Sequence, residues 1–234
     1  MKIQTIFCRR EIKFLITHEQ KEELLKAISP YVKPDEYGRS TICNVYFDTP
    51  DHLLIRRSLE KPKYKEKLRL RSYGVPTPDG TVFLEIKKKF DDIVYKSRIT
   101  IPAHDQEKVF NGVIENTDTV GREISFFFER YPSLAPKMYL SYNREAYYGI
   151  NNRTFRVTFD QEISARQKNL SLNCPAGGES LLPQGKVLME AKCEGAMPLW
   201  FVKILSQMKI YKTSFSKYGT AYTRYMNNKI KENK

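Results

Sequence analysis

The sequence predicts an α+β chain built on a largely antiparallel sheet, and three observations carry that prediction. Charge alternates with a period of two along Arg9-x-Glu11-x-Lys13, Lys67-x-Arg69-x-Arg71, Glu85-x-Lys87-x-Lys89, Lys96-x-Arg98 and Glu190-x-Lys192-x-Glu194, and that is the period of a strand. The residues between are often apolar (Ile12, Leu68, Leu70, Ile86, Ala191, Cys193), so each segment has a charged face and a packing face. Helical periodicity enters only in short blocks between the strand-like runs, which gives seven or eight strands with helices inserted among them.

The first strand is expected from about Thr5 to Ile16. Thr17-His18-Glu19-Gln20 then has the form of a capping box, and Leu24, Leu25, Ile28 and Val32 supply an apolar helical stripe closed by Pro30 and Pro34. Strand pattern returns over Thr41 to Asp48. Lys65 to Tyr73 and Thr81 to Lys89 form a hairpin about the Asp79-Gly80 turn, with Tyr95 to Ile101 as the next strand. Val109, Val113 and Ile114, then Ile124, Phe127 and Phe128, suit two short helices, with Phe126 to Phe128 expected in the core. Met138 to Tyr147 and Thr154 to Ile163 are strands. Asn173 to Gln184, with its Pro and Gly-Gly, is the expected loose loop. Val187 to Cys193 is strand, Pro198 to Gln207 helix, and Tyr218, Ala221, Tyr222 and Tyr225 mark a last helix before a basic tail at 228–234.

At 234 residues the chain is long enough for one sizeable domain, and 13 Phe with 15 Tyr argue against disorder. The 40 Lys and Arg against 27 Asp and Glu leave a formal charge of +13, which suggests a polyanionic partner. Cys8, Cys43, Cys174 and Cys193 lack CxxC spacing, so a zinc site is disfavoured and a reducing, cytoplasmic setting is expected. No run of about 18 apolar residues is present, so no transmembrane segment is expected. His18, His52 and His104 are scattered and there is no GxxxxGK[ST], which disfavours a histidine metal cluster, a catalytic triad and a phosphate-loop fold. Nucleic acid is the weaker partner, because the aromatic residues fall mostly at positions expected of a core.

Charge of one sign on several neighbouring strands would be self-repelling unless an anion sat among it. A sheet curled into a barrel would enclose those faces, and about eight strands leave an interior of modest bore. Glu11, Glu85, Glu190 and Asp160 stand among the cations. Carboxylate with phosphate oxygens suits Mn²⁺ or Mg²⁺, although Glu11 and Glu85 are read equally as salt-bridge partners.

Taken in order and spacing, the pieces Arg9-x-Glu11-x-Lys13-Phe14, Val45-Tyr46-Phe47-Asp48-Thr49, Lys67-Leu68-Arg69-Leu70-Arg71, Leu84-Glu85-Ile86-Lys87, Lys96-Ser97, Tyr142-Asn143-Arg144, Arg156-Val157-Thr158-Phe159-Asp160, Met189-Glu190-Ala191-Lys192 and Phe215-Ser216-Lys217-Tyr218 give the chain its resemblance. It resembles the polyphosphate polymerase (vacuolar transporter chaperone catalytic) domain of the triphosphate tunnel metalloenzyme, or CYTH-like, superfamily, over nearly its whole length. The resemblance implies an eight-stranded antiparallel barrel forming a tunnel, with flanking helices. It implies phosphate contacts from Lys13, Lys67, Arg69, Arg71, Lys87, Lys96, Arg98, Arg144, Lys192, Ser216 and Lys217, with Arg69, Arg71, Lys192 and Lys217 acting on the transferring group. Glu190 matches the metal-binding glutamate, with Glu11 as a second candidate for Mn²⁺ or Mg²⁺.

Two departures stand out. Ser214 occupies a position where relatives commonly have lysine, and the first strand has one carboxylate fewer than the hydrolase members. The second departure favours polymerase over plain triphosphatase. The implied activity is transfer of the γ-phosphoryl group of ATP to inorganic polyphosphate, through a tunnel expected to be open at both ends, with a membrane-protein partner needed for any coupling to transport.

Overall fold

The structure, a computed structural model, describes residues 10–91 and 93–232. Cys8, Arg9, the expected start of the first strand and Lys234 lie outside the described residues. Eight long strands cover the five alternating segments and the three other strand-like runs: β1 (Arg10–Thr17), β2 (Val32–Asp48), β3 (Tyr64–Tyr73), β4 (Thr81–Phe90), β5 (Ile93–Pro102), β6 (Ala135–Gly149), β7 (Arg156–Arg166) and β9 (Lys186–Cys193). Two strands of two residues join them, β8 (Glu179–Ser180) and β10 (Lys212–Thr213), so among the described residues the sheet has ten strands where seven or eight were expected. The short β8 falls in the expected loose loop, where Arg166 also ties down the carbonyls of Pro175 and Gly177 at 2.9 and 2.7 Å.

The strand order is β10-β1-β9-β7-β6-β2-β3-β4-β5, with β8 beside β7, and every pairing is antiparallel. The helices are α1 (His18–Ile28), α2 (Leu53–Leu59), α3 (Gln106–Phe110), α4 (Thr119–Arg130), α5 (Leu199–Gln207) and α6 (Lys217–Glu232). The capping box forms as read: Thr17 Oγ1 accepts from Gln20 N at 3.1 Å, and Thr17 N donates to Gln20 Oε1 at 3.0 Å. Helix α1 ends at Ile28, however, and Val32 already belongs to β2. Pro34 is tolerated in that strand because the pairing with β6 is irregular between Pro34 and Arg39. The basic tail is helical as far as it is described, because α6 runs on through Lys229 and Lys231.

Strand alternation sorts the core into layers. The outer faces of β2 to β5 pack Cys43, Val45, Phe47, Leu68, Leu70 and Leu84 against α3 and α4. Those of β1, β7 and β9 pack Phe14, Val157, Phe159 and Met189 against α1 and α5. Of the three consecutive phenylalanines on α4 only Phe127 is buried, while Phe126 is 63% exposed, because a helix turns adjacent residues about 100° apart and one face meets the sheet.

The opposite faces curl toward one another. Lys87 on β4 and Glu11 on β1, six places apart in the strand order, meet at 2.8 Å. Side chains thus cross the seam, although among the described residues no ladder joins β5 to β10. At one end the inward positions become apolar. Leu15, Leu140 and Leu188 pack with Tyr218, Ala221 and Tyr222 of α6, so one face of that helix lies against this apolar end.

Candidate active site

The inward face gathers most of the predicted residues, and their strands explain why. Residues two apart on a strand share a face, so Lys67, Arg69 and Arg71 project together from β3, Glu85 and Lys87 from β4, and Glu190 and Lys192 from β9. The charges are paired into clusters.

The first cluster centres on Glu85, which is fully buried. Arg69 grips one of its oxygens through Nε at 2.9 Å and Nη2 at 2.8 Å, Arg71 Nη1 lies 3.6 Å away, and Lys96 binds the other oxygen. Tyr46 Oη accepts from Arg69 Nη1 at 3.0 Å, and Asn44 Oδ1 from Arg71 Nε at 2.9 Å. Glu85 is therefore the counter-charge that holds two guanidinium groups in fixed orientation. Arg71, Arg69 and Lys96 outweigh burial and hold its carboxyl well below the usual range.

The second cluster centres on Lys217, at the start of α6. Its Nζ lies 2.6 Å from Asp160 Oδ2 and 2.8 Å from Glu190 Oε1. Arg144 grips Asp160 through two nitrogens, at 2.6 and 2.7 Å. Lys13 and Lys192 each stand 3.5 Å from Glu190. Burial would lower the Lys217 ammonium, but Asp160 and Glu190 raise it well above its ordinary value. The aim of Lys217 is set by its neighbour: buried Tyr218 donates to Asp48 Oδ2 at 2.9 Å and stacks on Tyr46 at 4.8 Å.

Between the clusters Lys87 holds Glu11, Lys13 donates to the Phe215 carbonyl at 2.7 Å, and Lys67 lies 3.3 Å from Ser216 Oγ. Burial first, then Lys13 and Lys87, pushes Lys67 down to about 7. Burial likewise brings Lys96 to about 7 despite Glu85, and Lys192 to about 8 despite Glu190. Arg98, opposite Glu85 and on the same face of β5 as Lys96, lies over the ring of Phe83 at 4.6 Å. Glu11 and Glu85, left open as salt-bridge or metal residues, are both salt-bridged here.

Reading the sequence missed Asn44, Tyr46 and the ring of Tyr142, over which Lys217 Nζ sits at 4.7 Å. Their spacing could have found them, because Tyr142 is two residues from Arg144, and Asn44 and Tyr46 share one face of β2. Burial would raise the Tyr142 hydroxyl, but Arg144, Arg71 and Lys217 outweigh it and lower it.

A divalent ion finds a sparse donor set. Among the described residues no group of three His, Cys, Asp or Glu could hold one. Glu190 Oε2 is its less engaged oxygen, with Lys192 at 3.5 Å and Arg144 at 4.0 Å. Opposite Glu190 across the β7–β9 ladder stands Thr158, 3% exposed, whose buried Oγ1 has no partner. These residues fit Mn²⁺ or Mg²⁺ if most of its shell comes from phosphate and water, as is usual for such ions.

A family model, the VTC domain, matches residues 8–226, and the chain belongs to that family. Its fold is the triphosphate-tunnel fold of the CYTH-like proteins. A candidate adenylate cyclase from Bacillus halodurans is similar at a TM-score of 0.56 and 15% identity, over 91% of this chain and 96% of that one. A candidate adenylyl cyclase from Hippeastrum, with a dominant triphosphatase activity, is similar at 0.55 and 16% identity, over 92% and 95%. A third from Vibrio parahaemolyticus reaches 0.52 and 11% identity, over 92% and 98%. No curated protein sequence matches the chain. No helix among the described residues is long and apolar enough to cross a membrane.

Proposed function

We propose that the chain is a metal-dependent polyphosphate polymerase, transferring the γ-phosphoryl group of ATP to the end of an inorganic polyphosphate chain. The observation that carries this reading is the surplus of cations on one inward face. Lys13, Lys67, Arg69, Arg71, Lys87, Lys96, Arg144, Lys192 and Lys217 outnumber the carboxylates Glu11, Glu85, Asp160 and Glu190. Buried charge of one sign is costly, and a string of phosphates is the ligand that would neutralise it along its length.

In this reading Arg69 and Arg71 present forked donors, already oriented by Glu85, to the oxygens of the transferring group. Lys217 and Arg144, fixed by Asp160, meet the neighbouring phosphate, and Lys192 and Lys13 take up charge on the other side of Glu190. Lys67 and Lys96 gain protons as phosphate enters, since an anion restores the ammonium that burial disfavours. The acceptor is itself a phosphate anion and needs no base, so catalysis rests on alignment and charge stabilisation. A metal bound at Glu190 would supply further neutralisation of phosphate oxygens.

The Hippeastrum relative favours a second reading, triphosphate hydrolysis on the same face. One incubation separates the two: protein, ATP and Mn²⁺ or Mg²⁺, resolved on a gel stained for phosphate polymer. Polymerase gives ladders and ADP, hydrolase gives short phosphates only, and a binding module leaves ATP intact. Glu190→Ala is expected to abolish metal-dependent turnover.

A further inference from the structure

A groove of about 530 Å³ lies outside the sheet interior, between the end of α2 and the outer face of α6. Its floor is a stripe on one face of α6: Thr220, Thr223, Asn227 and Lys231, continuing from Ser216 just before the helix. The spacings of four, three, four and four are those of residues stacked along one helix face. The opposite face, with Tyr218, Ala221 and Tyr222, packs into the apolar end of the interior, so the stripe is left facing outward. Leu59 of α2, 41% exposed, forms an apolar wall.

Ser216 belongs to both places. It lines the groove, yet its Oγ lies 3.3 Å from the Nζ of Lys67, one of the inward cations, and accepts from Gly219 N at 3.1 Å. The chemistry changes abruptly there. On the inward side the side chains are ammonium and guanidinium groups. Along the groove, from Ser216 to Asn227, the floor is hydroxyl, hydroxyl, hydroxyl and amide. Arg224 also lines the groove, its guanidinium bound to the carbonyls of Ser180 and Leu181. The next cation on the stripe is Lys231, at the far end.

A phosphate chain continuing into this groove would be short of counter-charge, with only Arg224, already bound to backbone carbonyls, and Lys231 at the far end. A sugar and a base would not. Ribose hydroxyls pair with hydroxyls that donate and accept, a base edge pairs with a carboxamide, and a base face lies against leucine. We propose that the groove between α2 and α6 holds the nucleoside of a nucleoside triphosphate whose phosphates lie on the inward cations, with Ser216 at the junction. This rests on the reading of the inward face as a triphosphate site, and it adds the reason a nucleotide, not a bare phosphate chain, would be the donor.

The test compares ATP with tripolyphosphate by calorimetry, without turnover, on the full chain. Two variants are used, Thr223→Ala/Asn227→Ala and the groove-filling Thr223→Trp, each at exposed positions of a helix surface. Both are expected to weaken ATP binding by about tenfold or more, the loss of one or two hydrogen bonds. Binding of tripolyphosphate is expected to stay within about twofold of the unaltered protein, a change well under one hydrogen bond. Equal weakening of both ligands would overturn the proposal and make the groove part of the phosphate path. No weakening of ATP by either variant would also overturn it and place the nucleoside elsewhere. If the unaltered protein binds neither ligand, it is the triphosphate reading that fails.

Discussion

Glu11 and Lys87 form an ion pair of 2.8 Å across the seam of the curled sheet, linking two strands that share no backbone hydrogen bond. The pair makes the inward face continuous where the ladder is open. It also gives an acid limit to stability. Burial opposes ionisation of Glu11, but Lys87 and Lys192 outweigh it and hold the carboxyl at about 2, against an ordinary 4.5. A carboxylate depressed in the folded state stabilises fully above its unfolded value, and that contribution disappears as pH falls through the folded one. Melting temperature is therefore expected to drop between about pH 4.5 and 2, with Glu11 responsible for on the order of 2 kcal/mol. Glu11→Gln should flatten that part of the profile; an unaltered acid limb in the variant would show that the seam pair contributes nothing.

Glu85→Gln leaves Arg69, Arg71 and Lys96 without their shared anion in a buried setting. Removing one partner of a buried ion cluster costs about 3–5 kcal/mol. The variant should melt well below the parent, and tripolyphosphate should raise its melting temperature by more than it raises the parent's, since phosphate replaces the missing charge. Scanning fluorimetry with and without tripolyphosphate reads this directly. Equal shifts in both proteins would mean that the anion does not reach Arg69 and Arg71.

Lys67 and Lys96, both brought to about 7, are only partly charged near neutrality in the free protein. Phosphate favours their charged forms, so binding should take up protons at pH 8, and affinity should fall as pH rises from about 7 to 9. In the free protein the sign is opposite. The unfolded chain holds more protons on these lysines above pH 7, so their contribution to stability rises with pH. Calorimetry of tripolyphosphate binding in buffers of differing ionisation enthalpy counts the protons. A binding enthalpy independent of buffer would refute the assignment.

Much of this arrangement was legible in the residues because a period of two leaves little freedom. Once Lys67, Arg69 and Arg71 lie on one strand they must share a face, and the Thr17 capping box fixes where the first strand gives way to helix. What periodicity could not supply was everything set by contacts distant in sequence. Nothing local says that Asp160 binds Lys217, 57 residues later by number, or that Glu85 sits beneath two arginines. Helix α2 escaped notice because its seven residues, Leu53–Leu59, are too few to display a period. Its N-terminus is held by Asp48, whose carboxylate accepts from Leu54 N at 2.8 Å and Ile55 N at 3.0 Å. The reach of β2 back through Pro34 was hidden for a similar reason, since only the irregular pairing with β6 accommodates that proline.

The inward face is expected to hold a chain of phosphates. A crystal structure of the protein with tripolyphosphate and Mn²⁺ tests it most directly. Phosphate groups bound between the Arg69–Arg71 pair and the Lys192–Lys217 pair, with metal beside Glu190, are predicted. Phosphate found only on the outer surface, with the ion pairs of Glu85 and Asp160 unchanged, would contradict it.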